Sequence, residues 1–342
     1  MSRSPVRFTF VRHGESVANV SGRWQGQGDA PLSELGRAQA AAVAARLRAA
    51  VRFDHVVSSD LSRARDTALA LGLPVDVDPA LREIDVGAWE GKSQLEVASL
   101  FPDEVLHLRS GAEHVKVGGG ESWAEVHARI DRAVRALRER LDGAREVGVF
   151  SHGGVLSSLF TGLFDVRGRH PRPLGHLVNT AVSVATFHAD HVELERYNDG
   201  SHHASTARFS PERFGRRSAV VAAMALGTSL HVEPSLVAGV TEIFTPEEHE
   251  DEARFLHREL GVPLRVARDP LARVLEQSPP GQRVLVVASP EAIRDAAEQT
   301  LRPGARSIVK MRLPSRGSVT HLVRMPNATL LGDYSVGGVE DR

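Results

Sequence analysis

The sequence contains no cysteine. This absence excludes disulfides, thiolate catalysis and cysteine-ligated zinc or iron–sulfur sites. Long hydrophobic runs are also missing, because Arg7 and Arg12 interrupt the apolar residues near the N-terminus and no stretch approaches the length that spans a bilayer. We therefore expect a cytoplasmic protein with neither a secretory leader nor a membrane partner.

Net charge is close to zero. The 42 Lys and Arg residues nearly balance the 43 Asp and Glu residues, which gives a formal net charge of −1. A protein with this balance has no global field that would gather nucleic acid or anionic lipid. Nucleic acid is therefore not an expected partner, and any anion must be bound by a local group of cations.

The pattern of apolar residues predicts an α/β fold. Short apolar strands alternate with amphipathic helices, which is typical of a mostly parallel sheet covered by helices on both faces. One early helix is predicted to place Leu35, Val43 and Leu47 on one side. The clearest helix follows Ser122, which is predicted to form a capping box with Glu125.

The length of 342 residues exceeds what one hydrophobic core usually organises, so two domains are expected. A polar, proline-containing and basic stretch without periodicity separates them. We predict a first domain over residues 1–207, a linker over 208–217 and a smaller second domain over 218–342.

The second half repeats the order of elements of the first. The stretch AVVAAMALG corresponds to RFTFVRHG, and VLVVASPEAIRDAAEQTL corresponds to VGVFSHGGVLSSLFTGLF. In this alignment the residues in place of Arg12, His13 and His152 are Ala225, Leu226 and Ser289, respectively. The second domain is therefore predicted to be a degenerate, non-catalytic copy of the first.

Two histidines are predicted to lie where strands have just ended, His13 and His152. Ligands of open parallel sheets bind at this edge. Arg63 lies in the first turn of a predicted helix, where a cation is mildly unfavourable unless an anion is bound beside it. A further helix begins at Gly153, and its free N–H groups suit an anion. Together with Arg12, these groups form a pocket suited to a phosphoryl group.

Six sequence blocks of the first half resemble the histidine phosphatase superfamily, also called the phosphoglycerate mutase-like or RHG family. One Arg-His-Gly triplet is weak evidence, whereas six blocks in the family's order are strong evidence. The resemblance implies a three-layer α/β/α, phosphoglycerate mutase-like fold. The blocks are RHGESVAN (12–19), DAPLSELGRAQA (29–40), SSDLSRARDTA (58–68), LREIDVGAWEGKS (81–93), GGGES (118–122) and VFSHGG (149–154).

The resemblance implies catalytic roles for five residues. His13 would attack phosphorus and carry the phosphoryl group as a phosphohistidine. Arg12 and Arg63 would clamp the non-bridging oxygens, and a protonated His152 would add a third cation. Glu83 would give a proton to the leaving alcohol and later take one from the attacking water.

Four further residues are expected to bind the substrate. Asn19 and the N–H of Gly153 would donate to the phosphate, whereas Gln25 and Gly26 lie in a loop expected to shape the mouth of the pocket. The resemblance implies neither a metal nor an organic cofactor.

Outside these blocks, one group of histidines is considered as a metal site. His188, His191, His202 and His203 lie close together in the sequence but lack a supporting carboxylate pattern, so no metal site is predicted there.

Phosphatase activity is the favoured prediction. The segment between Glu83 and Glu121 is short, which resembles the phosphatase branch, whereas phosphoglycerate mutases carry a substantial extra segment. The branch implies small phosphate monoesters as substrates: sugar phosphates, phosphoglycerate-type acids or ribazole phosphate.

Two alternatives stay open. One is phosphoryl transfer of the phosphoglycerate mutase type, and the other is a non-catalytic module that binds phosphate or a phosphoprotein. A binding module would be expected to lose His13 or Glu83, and this chain keeps both. For the second half, the hypotheses are a dimerisation surface, a lid or a docking platform, and a homodimer is one predicted state.

Overall fold

A computed structural model describes residues 4–169, 171–202, 218–225, 236–279, 281–325 and 328–336. The predicted linker, 208–217, lies outside the described residues. The chain divides into two compact units. The first unit comprises Met1–His170, His176–Glu193 and Gly304–Val309, and the second comprises Pro171–Gly175, Leu194–Pro303 and Lys310–Arg342. Across the described ranges, no helix is long and apolar enough to cross a membrane.

The first sheet has seven strands. They are β1 (Val6–Arg12), β2 (His55–Ser58), β3 (Asp76–Val77), β4 (Glu146–Ser151), β5 (Val182–Phe187), β6 (Val192–Asp199) and β11 (Val309–Met311). Their order is β11-β6-β5-β1-β4-β2-β3. Strands β1 to β4 pair in parallel, and β5 runs antiparallel to β1. The predicted α/β class is confirmed.

In the part of the chain that the structure describes, seven α-helices accompany the first sheet: α1 (Val17–Val20), α2 (Glu34–Ala50), α3 (Ser62–Leu69), α4 (Gln94–Leu100), α5 (Pro102–Arg109), α6 (Trp123–Arg140) and α7 (Gly153–Leu163). The predicted capping box of Ser122 and Glu125 at the start of α6 is confirmed. Neither α4 nor α5 was predicted from the sequence.

The predicted apolar side of α2 was wrong at one position. Val43 and Leu47 are buried, but Leu35 is 55% exposed. The cause is the neighbouring Gly36, which packs so closely that a Cβ on it would lie 1.9 Å from the carbonyl oxygen of Glu15. This contact turns Gly36 inward, and Leu35, one residue away on the helix, turns outward.

The second sheet has six strands. They are β7 (Ala219–Ala225), β8 (Glu242–Thr245), β9 (Leu264–Val266), β10 (Arg283–Ala288), β12 (Val319–Met325) and β13 (Ala328–Leu331), in the order β13-β12-β7-β10-β8-β9. Among the described residues, three α-helices accompany it: α8 (Glu250–Leu260), α9 (Pro270–Gln277) and α10 (Pro290–Leu301).

The two sheets share one strand order when β11 is set aside. The order β6-β5-β1-β4-β2-β3 in the first corresponds to β13-β12-β7-β10-β8-β9 in the second. Register agrees as well, because Arg12 pairs with Ser151 and Ala225 pairs with Ala288. This matches the sequence alignment of the two halves. Leu226, the aligned counterpart of His13, lies outside the described residues.

One long segment of the first unit has no counterpart in the second unit. Residues 78–145 separate β3 from β4, whereas only residues 267–282 separate β9 from β10. The longer segment carries Glu83 together with α4, α5 and α6. The second sheet therefore keeps the strand pattern without a counterpart of the segment that carries the predicted proton donor.

Candidate active site

The structure brings the two predicted histidines together. Strands β1 and β4 are parallel neighbours in which Arg12 pairs with Ser151, so the residues that follow them, His13 and His152, emerge side by side. Their ring centroids lie 5.2 Å apart at an interplanar angle of 56°. Both side chains are buried. The pair occupies the carboxyl edge of the sheet, where ligands of such folds bind.

Hydrogen bonding fixes the tautomer of His13. Its Nδ1 lies 2.7 Å from the carbonyl oxygen of Gly14, which can only accept, so Nδ1 carries the hydrogen and Nε2 keeps a lone pair. Burial, with Arg12 and Arg63 nearby, lowers the pKa of His13 well below its ordinary value. The ring is therefore neutral at neutral pH, with Nε2 available as a nucleophile.

His152 differs in charge from its predicted role. Burial lowers the pKa of His152 well below its ordinary value, and Arg63, His13 and Arg12 act in the same direction. These effects favour a neutral ring, whereas the sequence predicts a cation. Its Nε2 is 2.9 Å from Ser59 Oγ, and among the described residues no group hydrogen-bonds its buried Nδ1. A ligand that paired with this nitrogen would remove the cost of leaving it unsatisfied.

Arg63 is held by backbone carbonyls of the glycine-rich loop. Its Nη1 donates to Gly28 and its Nη2 to Gly26, both at 2.8 Å, and the side chain is buried. The amide of Gln25, oriented to satisfy its neighbours, accepts from Arg63 Nη1 at 3.0 Å. Gln25 and Gly26, expected at the mouth of the pocket, thus hold this guanidinium in place.

Arg12 lies against the start of α7. A Cβ on Gly153 would lie 3.2 Å from Arg12 Nε, and Arg12 Nη1 donates to the carbonyl of Leu177 at 2.5 Å. His152 is the N-cap residue of α7, and within the described chain no side chain caps this helix. The first N–H groups of α7, which begins at Gly153, therefore lie beside a guanidinium, an arrangement that favours an anion.

Glu83 also meets the start of α7. Its Oε2 accepts from the N–H of Gly154 and its Oε1 from the N–H of Ile84, both at 3.0 Å. A Cβ on Gly154 would lie 2.5 Å from Glu83 Oε1, so a residue with a side chain would displace the carboxylate. The second glycine of the VFSHGG block thus lets Glu83 reach the edge of the sheet beside His152.

Asn19 presents its amide hydrogens as donors. Its Oδ1 accepts from the backbone N–H of Ser16 at 3.2 Å and from Asn179 Nδ2 at 3.3 Å. The carbonyl end of the amide is therefore satisfied by the protein, which leaves Nδ2 as the group suited to a phosphate oxygen. Asn179, which the sequence did not single out, also donates to the carbonyl of His13 at 3.2 Å.

Sequence reasoning missed the ion pair that supports Glu83. Arg129 on α6 pairs with Glu121 at 2.7 Å and donates to the carbonyls of Ala80, Arg82 and Glu83 at 2.9, 2.7 and 3.3 Å. Four groups thus fix one guanidinium under the loop that carries the carboxylate. Glu121 lies within the GGGES block, but no local signal in the sequence linked Arg129 to it.

The fold and this group of residues, two buried histidines with two arginines at the carboxyl edge of a parallel sheet, suit the binding of a phosphoryl group. Residues 8–200 match the family model of the histidine phosphatase superfamily (branch 1). The chain therefore belongs to this superfamily, and the resemblance seen in the sequence is confirmed. The match ends before β7, so it leaves the second sheet uncovered.

Within this superfamily, the chain is similar to two phosphatases of known sequence and to one of known structure. It is 34% identical over 206 residues to a metal-independent phosphoserine phosphatase of Arabidopsis thaliana, covering 58% of this chain and 84% of that protein. It is 39% identical over 173 residues to a glucosyl-3-phosphoglycerate phosphatase of Mycolicibacterium vanbaalenii, and this match covers 47% of this chain and 75% of that protein. The structure of a phosphoserine phosphatase from Entamoeba histolytica, solved with phosphoserine, is 27% identical in sequence and matches with a TM-score of 0.51. This match covers 58% of this chain and 98% of that one. The family and these phosphatases support one enzyme class, a phosphoric monoester hydrolase.

Proposed function

We propose that the protein hydrolyses a small phosphate monoester in two steps through a phosphohistidine on His13. The observation that carries this proposal is the hydrogen bond from His13 Nδ1 to the Gly14 carbonyl, which leaves a neutral ring with a free Nε2 lone pair. Arg12 lies against Gly153, the residue after His152, and both Arg12 and Arg63 act to lower the pKa of the His13 ring, which supports a site that combines a nucleophile with two cations.

In the first step, His13 Nε2 attacks phosphorus and the ester P–O bond breaks. Arg12, Arg63 and the N–H of Gly153 bind the non-bridging oxygens, where charge accumulates. Glu83, in its protonated form, gives its proton to the departing oxygen, so the alcohol leaves neutral. The position of Glu83 at the start of α7 supports this role.

In the second step, water attacks the phosphohistidine. Glu83, now a carboxylate, takes a proton from the water as the P–N bond breaks and inorganic phosphate is released. His152 would gain a proton when the phosphate dianion enters, because that charge opposes the cations that lower its pKa in the ligand-free site. This restores the predicted role of His152 for the bound state.

Small phosphorylated acids are the substrates we propose to test first, since the two curated relatives are named for phosphoserine and for glucosyl-3-phosphoglycerate. A panel of these two esters, a sugar phosphate and ribazole phosphate is assayed for phosphate release in EDTA. 3-Phosphoglycerate is assayed with and without a bisphosphoglycerate primer. Phosphate release without primer supports hydrolysis, whereas isomerisation that needs the primer and releases no phosphate would establish the mutase alternative.

We further propose that the second unit is non-catalytic and forms a docking or dimerisation surface. The residues in place of Arg12 and His152 there are Ala225 and Ser289, and the segment that carries Glu83 has no counterpart. Light scattering of the full chain tests the homodimer, for which a monomeric mass is the contrary result.

The pH dependence follows from the direction of the His13 shift. The pKa of His13 is lowered, so its nucleophilic form persists below the pH at which an ordinary histidine protonates, about 6.5. We expect kcat/KM for p-nitrophenyl phosphate, corrected for titration of the substrate, to stay near its maximum at about pH 6 and to fall only at lower pH. An acid limb centred at the ordinary histidine value would contradict this expectation.

Replacing Arg129 with methionine should weaken the proton donor without touching phosphate. The loss of its hydrogen bonds to the backbone of the Glu83 loop is expected to lower kcat/KM for an alkyl phosphate by about 100-fold, as a small misplacement of a catalytic group does. The effect on kcat/KM for p-nitrophenyl phosphate should be much smaller, since kcat/KM reports the steps up to release of the leaving group and this leaving group needs no proton. Arg132→Met, exposed on the same helix, is the control. Equal losses for both substrates would argue against a role through Glu83.

A further inference from the structure

A second group of chemistry-bearing side chains lies at the turn between β5 and β6. His188, His191 and Glu193 place one ligand atom each within 4.8 Å of the others, and no other such group occurs in the described part of the chain. The turn is closed by a hydrogen bond of 2.9 Å from the N–H of His188 to the carbonyl of His191. Glu193 thus supplies the carboxylate that was not recognised beside these histidines in the sequence.

The distances suit an ion better than a direct hydrogen bond. Glu193 Oε2 lies 3.6 Å from His188 Nε2, and Glu193 Oε1 lies 3.6 Å from His191 Nε2. These separations exceed hydrogen-bond length and approach the roughly 3.3 Å between ligands that bonds of about 2.0 Å to a tetrahedral ion require. Within the described residues, His188 Nε2 is buried without a hydrogen-bond partner. A buried nitrogen in this state needs a ligand.

The tautomer of His191 also suits a metal. Its Nδ1 lies 2.8 Å from Asp190 Oδ1, and because a carboxylate oxygen accepts, this contact places the ring hydrogen on Nδ1, which donates to Asp190. The Nε2 lone pair then faces Glu193, which is the outer-shell pattern of metal-bound histidine. The side chains of His188 and His191 are 26% and 19% exposed, so an ion can enter from solvent.

We propose that His188, His191 and Glu193 bind one divalent transition-metal ion, for which Zn²⁺ is the best match to two imidazoles and a carboxylate. The two rings are stacked, with centroids 4.4 Å apart and an interplanar angle of 5°. The rings must therefore tilt out of this parallel arrangement for the Nε2 lone pairs of both to face one ion. The guanidinium of Arg138 donates to the carbonyl of His188 and lies over the Phe187 ring.

The ion is structural rather than catalytic. Phe187, at the end of β5, pairs with Val6 at the start of β1, whereas His13 follows the other end of β1. The turn is therefore at the opposite end of β1 from the nucleophile. The ion clips the hairpin of β5 and β6, and phosphate hydrolysis proceeds without it.

Calorimetry with Zn²⁺ on the untagged full-length chain tests the site. We expect one ion per chain, a cobalt-substituted form with the visible absorption of a tetrahedral site, and a higher Tm with Zn²⁺ present. Asp190→Asn should weaken binding about 10- to 100-fold, as losses of outer-shell partners do, and His191→Ala or the isosteric Glu193→Gln should weaken it at least as much. His55→Ala, an exposed histidine on β2, is the matched control and should bind as the wild type does.

Three results would overturn the proposal: no stoichiometric binding by the wild type, binding unchanged in both His191→Ala and Glu193→Gln, or a loss in His55→Ala equal to theirs. Turnover in EDTA separates this proposal from the proposed function. The metal-free chain is expected to hydrolyse phosphate esters at the full rate, so loss of the metal site would leave the phosphatase proposal intact.

Discussion

His13→Ala is expected to abolish hydrolysis, with kcat falling by about 10⁴- to 10⁶-fold, the range seen when a covalent nucleophile is removed. Alanine leaves no lone pair to attack phosphorus, and the neighbouring His152 is a poor substitute because its Nε2 is bound to Ser59. Arg12 and Arg63 remain, so the variant should still bind inorganic phosphate. Turnover of p-nitrophenyl phosphate in EDTA measures the loss, and calorimetry with phosphate measures the binding that is kept.

Two controls make this result specific. His55→Ala removes an exposed histidine from the same unit and should leave kcat unchanged. Rapid quenching of wild-type turnover with a labelled ester should trap a phosphoenzyme that is absent from His13→Ala. Turnover of the variant at the wild-type rate would contradict the mechanism.

Much of the fold could be predicted because its signals are local. Strand β1, the capping box at Ser122 and the repeated order of elements each depend on short patterns of apolar and capping residues. Helices α4 and α5 were missed in a segment where α5 has no buried residue and α4 buries Val97 alone. A helix with so little buried surface leaves a weak periodic pattern in the sequence.

The site was predictable as far as motifs identify its residues, and no further. Motif blocks indicated the histidines and Glu83, but the neutral state of His152 follows from burial among cations, which only the fold supplies. The support of Glu83 by Arg129 depends on the position of α6 under a distant loop. Glu193 was overlooked for another reason. It lies two residues after His191, close in sequence, yet only the hairpin turn brings His188 onto the same carboxylate.

In the second unit, a buried ion pair is expected to dominate stability. His321 on β12 is buried, and so is Asp333. His321 Nδ1 lies 3.0 Å from each carboxylate oxygen of Asp333, and His321 Nε2 lies 2.9 Å from the carbonyl of Leu236. Both ring nitrogens thus face acceptors, and both are satisfied as donors only if the ring is an imidazolium paired with the Asp333 carboxylate.

Asp333→Asn should therefore destabilise the second unit by about 3–5 kcal/mol, the usual cost of removing one partner from a buried pair. The asparagine side chain has nearly the same shape and can still accept from the backbone N–H of His321, which donates to Asp333 Oδ1 at 2.8 Å. The loss of stability in this variant therefore measures the effect of removing the carboxylate charge. Either an imidazolium stays buried without its counter-ion, or the ring loses a proton and one nitrogen faces an acceptor with a lone pair.

Urea unfolding separates this effect from any change in the first unit. The three tryptophans, Trp24, Trp89 and Trp123, all lie in the first unit, whereas Tyr197 and Tyr334 lie in the second. Tryptophan fluorescence therefore follows the first unit, and amide exchange of β12 follows the second.

The double variant His321→Leu/Asp333→Asn should regain part of the loss, because it no longer buries an unpaired ionisable ring. Asp295→Asn, at an exposed pair with Arg294, is the matched control and should change stability by no more than about 0.5 kcal/mol. If Asp333→Asn proves as mild as this control, the pair is not charged and the imidazolium assignment is wrong. If β12 exchanges faster while tryptophan fluorescence is unchanged, the pair acts within the second unit alone.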